Sequence, residues 1–203
     1  MSPDVKPLPR GRHKLSRETV RASQRERLLQ AMLESVGERG YAATTVPDVV
    51  ARARVSRNAF YALFADKTDC FLALCDELAG ELFDELIALR GDDWRAALRH
   101  GMEIYLRFWQ DRPGVSRTYF VELPSAGPRA LEQRDRQYAR FRAIFEQLGT
   151  WAGGEAPPIV PRVLVLTITE LVAEEVRAGR TDRLVDLQDD LVAVVVRLLD
   201  QSP

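Results

Sequence analysis

Arg57, Asn58 and Tyr61 fall within one short run, "RVSRNAFYALFADK", directly behind Ser56. Arginine can pair with guanine O6 and N7, asparagine with adenine N6 and N7, and a tyrosine hydroxyl suits a phosphate oxygen. The small Ala62 permits close approach or touches a thymine methyl. These residue types together can read and grip DNA, provided that one rigid element holds them on one side. Ser56 is a good helix cap, and at 100° per residue Phe60, Leu63 and Phe64 form an inward stripe. Asn58, Tyr61 and Ala62 then point away from that stripe, with Arg57 at its edge. The helix N-termini at Thr45, Ser56 and Lys67 offer unpaired N–H groups to phosphates, and the Lys67 ammonium suits the same anions.

Such a helix needs neighbours to anchor it. Ahead of it, Thr45 with Asp48 has the spacing of a cap for a short helix, with Pro47 tolerated in the first turn. A longer helix precedes that one, starting at Ser16 or at Ser23. Its stripe is Leu29, Met32, Leu33 and Val36, and Gly40 stops it. Asp66 and Asp69 cap a fourth helix predicted to run from Lys67 to about Arg90. Three short capped helices with a tight turn between the last two make a helix-turn-helix module over residues 16–67. Residues 1–15, rich in Pro, Gly and basic side chains, read as a flexible basic arm.

Charge separates this module from the rest. Through Lys67 there are thirteen Lys and Arg against seven Asp and Glu, a net of +6, whereas the whole chain carries -1 and the remainder therefore -7. A basic part that meets a polyanion, joined to an acidic part with another task, fits that division.

The run "GYAATTVPDVVARARVSRNAFYALFADKTDCFLAL" resembles the DNA-binding domain of TetR/AcrR-type transcriptional regulators. Gly40-Tyr41, Thr44-Thr45, Val49, Ala51, Val55-Ser56, Phe60-Tyr61, Phe64 and Lys67 stand where that pattern has them. The resemblance covers roughly residues 16–75. It implies an all-α fold, with an N-terminal three-helix helix-turn-helix domain and a C-terminal helical bundle for dimerisation and effector binding over residues 68–203. It also implies a homodimer on a palindromic operator in double-stranded DNA, and a repressor released by a small effector. Carried over by position, Ser56, Arg57, Asn58 and Ala59 fall where bases are usually read, and Thr45, Tyr61 and Lys67 on usual phosphate contacts. One departure stands out: Arg54 occupies a turn position where glycine is common. If φ is positive there, a side chain costs about 1 kcal/mol.

Beyond Asp92 the pattern continues as helices over 93–111, 114–123, 128–151, 159–179 and 184–200. "IVPRVLVLTITELVA" and "LVAVVVRLL" are apolar over more than one face, so both are expected in a four-helix interface with a second copy. The middle of the chain is crowded with Tyr105, Phe108, Trp109, Tyr119, Phe120, Tyr138, Phe141 and Phe145. With polar groups from Glu122, Arg142, Thr167 and Glu170, such rings could line a pocket for a mostly apolar small-molecule effector.

Other classes fit less well. The chain has two histidines, His13 and His100, and neither a nucleotide-binding glycine loop nor a metalloprotease motif, so no catalytic residue, metal or cofactor is expected. Cys70 and Cys75 lie about 140° apart on one helix and match no redox or zinc spacing. A redox-responsive regulator needs these thiols exposed, and an architectural DNA-binding protein without a ligand is the other alternative. No secretory signal opens the chain and "LVAVVV" is too short to cross a bilayer, which points to a cytoplasmic protein with no membrane partner.

In the arm, Pro9-Arg10-Gly11-Arg12 resembles the core of an AT-hook, whose Arg10 and Arg12 would enter an A·T-rich minor groove. Deleting residues 1–15 is then expected to weaken DNA binding and flatten its salt dependence. Equal affinity of the truncated and full-length chains across a salt titration would show that the arm stays off the DNA.

Overall fold

The computed structural model describes residues 16–87, 93–153 and 156–200, and among them the regular structure is entirely helical. Helix α1 spans Arg17–Ala43 and starts at the earlier of its two candidate caps, with the Thr19 N–H donating to Ser16 Oγ at 3.0 Å. Leu28, Leu29, Met32 and Val36 supply its buried stripe. At Gly40 the backbone leaves the helix, with φ +80° and ψ 161°, a conformation that suits glycine.

Helix α2, Val46–Ala53, has a complete capping box. The Thr45 hydroxyl accepts from the Asp48 N–H, and Asp48 accepts from the Thr45 N–H at 2.9 Å. Helix α3 is one short segment, Arg57–Tyr61, capped by Ser56 Oγ on the Ala59 N–H at 3.1 Å. Phe60 is fully buried, and Phe64 still bonds back to the Phe60 carbonyl at 2.8 Å, so the inward stripe outlasts the helix. Between α2 and α3 the chain turns through Arg54, with φ 53° and ψ 47°, the left-handed region expected of glycine at this position. Its N–H reaches the Ala51 carbonyl and that of Val55 reaches Val50, so two carbonyls at the end of α2 are satisfied by the turn.

Helix α4, Lys67–Ile87, runs on through the expected domain boundary at Lys67. Its first turns belong to the N-terminal core, with Phe71 against Tyr41 at 4.6 Å between ring centres, and its later turns to the C-terminal bundle. That bundle comprises α5 (Trp94–Gln110), α7 (Pro128–Ala152), α8 (Val160–Arg177) and α9 (Gln188–Leu199). The helical reading of "LVAVVV" holds in α9, where Leu191, Val195 and Leu199 are buried. Two sequence expectations need correction. The helix expected over 184–200 begins with a 3-10 segment, Thr181–Leu187, before α9. The single helix expected over 114–123 is α6 (Pro113–Arg117) followed by a π turn (Thr118–Glu122) and a 3-10 turn (Leu123–Ala126). Pro124 has no N–H for an i−4 carbonyl, and the wider turn, closed by the Leu123 N–H on the Thr118 carbonyl, accommodates it.

Replacing Arg54 by glycine removes the left-handed strain and should stabilise the chain by about 1 kcal/mol. Urea denaturation of the two proteins measures this; a lower midpoint for Arg54→Gly would mean that the arginine side chain contributes more than the strain costs.

Candidate nucleic-acid interface and effector cavity

Arg57, Asn58 and Tyr61 are exposed on α3, Tyr61 to 51%, while Phe60 beneath them is sealed in the core. None of the three side chains has a hydrogen-bond or ion-pair partner among the described residues. Ser56 and Thr45 flank this face, but their hydroxyls are engaged in capping. Ala59 is half-buried. Several cations counted in the basic excess are neutralised on other surfaces: Arg25 pairs with Glu77, Arg39 with Asp48, and Arg52 with Glu34 and Glu38. Arg57, Asn58 and Tyr61 on α3 are left outside these pairs. Arg10 and Arg12 lie outside the described residues.

Lys67 has a role the sequence did not suggest. Its Nζ donates to the Tyr41 and Thr44 carbonyls, each at 2.9 Å, and lies 4.1 Å from the centre of the Tyr41 ring. Burial pulls this ammonium below its ordinary pKa. Two of its three donors thus close the end of α1, and one remains.

Glu122, expected in the effector pocket, is elsewhere. Its buried carboxylate accepts from the Tyr41 N–H at 2.8 Å, 81 residues away in sequence, and from Arg117 at 3.2 Å. A Cβ at Gly40 would approach Glu122 Oε2 to 3.2 Å, so glycine is required there both for its φ and for this contact. The π turn aims the carboxylate at α1, and a regular-helix reading of 114–123 could not foresee it.

The cavity lies between α4, α5, α7 and α8 and has a volume of about 400 Å³. Of the residues expected there, Tyr105, Phe141 and Phe145 line it. Phe108, Trp109 and Tyr119 do not: they form a ring cluster further inside, with Trp109 4.9 Å from both Phe108 and Tyr119. Thr167 and Glu170 are exposed on the far side of α8, Glu170 paired with Arg177, and Arg142 is paired with Glu146. Two residues along a helix is a rotation of about 200°, so Thr169 faces the cavity where Thr167 cannot. Leu86, Leu98, Met102, Ile144, Leu148, Trp151, Val165 and Ile168 complete most of the wall. Their spacing on α5, α7 and α8 was a usable signal, but aliphatic residues that line a cavity look like core in sequence.

Both cysteines are fully buried, and burial raises the Cys70 thiol to about 12 and Cys75 further. This is the opposite of the exposed, low-pKa thiolate that a redox-responsive regulator needs. No helix among the described residues is long and apolar enough to cross a membrane.

A family profile described as bacterial regulatory proteins, tetR family, matches residues 28–74, the stretch from the middle of α1 into α4. The helix-turn-helix part of the chain is thus similar to the tetR family. No curated protein sequence matches it. The fold is similar to that of the transcriptional regulator FadR from Bacillus subtilis, solved in complex with stearoyl-CoA. The two are 16% identical with a TM-score of 0.74, covering 84% of this chain and 97% of the other. The fatty acid degradation regulator FadR from Bacillus halodurans gives 16% and 0.74, with 85% and 94% covered. A TetR transcription regulator from Haloarcula marismortui gives 23% and 0.72, with 87% and 98% covered. The described residues share an all-helical fold with these solved transcriptional regulators.

Glu122→Ala leaves the buried Tyr41 N–H without an acceptor and should cost about 1–3 kcal/mol. Glu122→Gln retains an acceptor oxygen and should cost less. Thermal unfolding of both variants tests the assignment; equal loss in the two would assign the effect to the Arg117 ion pair instead.

Proposed function

We propose that the chain works as a homodimeric repressor whose hold on a palindromic operator is released when an apolar small molecule fills the cavity. The observation that carries this reading is the combination of two surfaces in one chain. One is an exposed Arg57–Asn58–Tyr61 face whose side chains have no hydrogen-bond or ion-pair partner among the described residues; the other is an apolar cavity of a size usual for ligand sites, about 300–1,000 Å³. Ser56, Arg57, Asn58 and Ala59 read bases, and Thr45, Tyr61 and the remaining Lys67 donor hold phosphates.

Dimerisation is supported by α8 and α9, whose outer faces leave Val163, Leu166, Leu171 and Val194 exposed. A second copy would cover them and supply the second recognition helix that a palindrome requires. The Bacillus subtilis neighbour binds stearoyl-CoA; an acyl or alkyl chain is one kind of occupant that this cavity would accept. Helix α4 is the lever: Leu86 and Ile87 at one end line the cavity, and Lys67 at the other ties α1. A ligand that favours one position of α4 changes the spacing of the two α3 helices and so selects against the DNA-bound state.

Selection of bound sequences from a random DNA library at physiological salt tests the reading. A strong palindrome is expected; A·T-rich enrichment without symmetry would favour the architectural alternative. Asn58→Ala should relax preference at one base position by about 1–3 kcal/mol, whereas Tyr61→Phe should weaken binding to all sequences alike. Unchanged preference in a still-binding Asn58→Ala protein would disprove the assigned register.

A further inference from the structure

Among the described residues, the cavity wall carries no Lys, Arg, His, Asp or Glu side chain. On the wall-forming helices α5 and α7, Arg95 pairs with Asp200, Arg99 with Asp189 and Arg142 with Glu146, and Arg140 lies over the Phe83 ring at 3.8 Å. An anionic group entering the cavity would lose its water and gain no counter-charge, and a cation would meet the same penalty.

The polar groups on the wall are few. Thr169 Oγ1 donates to the Val165 carbonyl at 2.6 Å, within its own helix. The Tyr105 hydroxyl is buried without a hydrogen-bond partner among the described residues, and burial raises its pKa. Gln147 differs from both in its exposure. It is exposed on α7, it lines the cavity, and its side-chain amide has no hydrogen-bond partner among the described residues. Two N–H donors and one acceptor oxygen are thus available at the rim, beside the partly exposed Trp151.

On the reading that this cavity is the effector site, we propose that it selects an uncharged amphiphile: an apolar body enclosed by the wall, and one neutral polar group, such as an ester or ketone carbonyl, held at the rim by Gln147. Methyl decanoate, decanoate and decyltrimethylammonium share a chain length and differ in the charge of the head. Binding to the full-length chain at pH 7.5, followed by tryptophan fluorescence and by calorimetry, should favour the ester over either ion by about tenfold or more. Gln147→Arg places a cation at the rim on an exposed position that the fold does not need. It should improve decanoate relative to the ester by about tenfold while leaving the unfolding temperature unchanged.

Equal binding of ester and decanoate by the unmodified chain, or an unchanged ratio in Gln147→Arg, overturns the proposal and leaves the cavity as a ligand site of other selectivity. Failure of all three probes to bind, with DNA binding intact, overturns the effector cavity itself and this inference with it.

Discussion

The end of α1 has to be satisfied inside the protein. Where Gly40 breaks the helix, the Tyr41 N–H and the Tyr41 and Thr44 carbonyls turn inward, away from water. A buried amide or carbonyl without a partner costs as much as several favourable contacts gain, so partners must come from elsewhere in the chain. They come from two directions: Lys67 at the start of α4 takes the carbonyls, and Glu122 on the π turn takes the amide. These three bonds fix the N-terminal helices to the long α4 and to the bundle. The orientation of α3 relative to the bundle depends on them.

How far the sequence could be read follows from how local each interaction is. The caps at Ser16, Thr45, Ser56 and Asp66 act across three residues, and their side chains sit in the structure where spacing places them. The buried stripe of α1 and the exposure of Asn58 and Tyr61 follow from periodicity for the same reason. The left-handed turn at Arg54 was inferred from a departure from a pattern, and the backbone shows it because the flanking hydrogen bonds hold that shape whichever residue occupies it.

Glu122 and Lys67 were harder, because their partners are 81 and 26 residues away and are backbone atoms, which carry no signature of residue type. Glu122 was noticed as a polar residue among rings and assigned to the wrong neighbour. Only the extra residue of the π turn rotates it toward α1. The aromatic cluster divided for a related reason. Tyr105 and Trp109 are one turn apart on α5, yet one lines the cavity and the other is fully enclosed, with ring centres 6.2 Å apart. Helical spacing tells which residues face inward; it does not tell which of them meet an opening.

The residues that line the cavity and those that face outward on α3 have no member in common, and the elements between them are joined through α4 and a few bonds at the end of α1. Under the proposed function, substitutions on the wall would change which molecule is sensed without altering a single group that meets a base, and the converse would hold for α3. The two halves are therefore free to diverge separately under selection, provided that Gly40, Tyr41, Lys67 and Glu122 change together or not at all. A new signal can be acquired by an old DNA address, and an old signal can be moved to a new one.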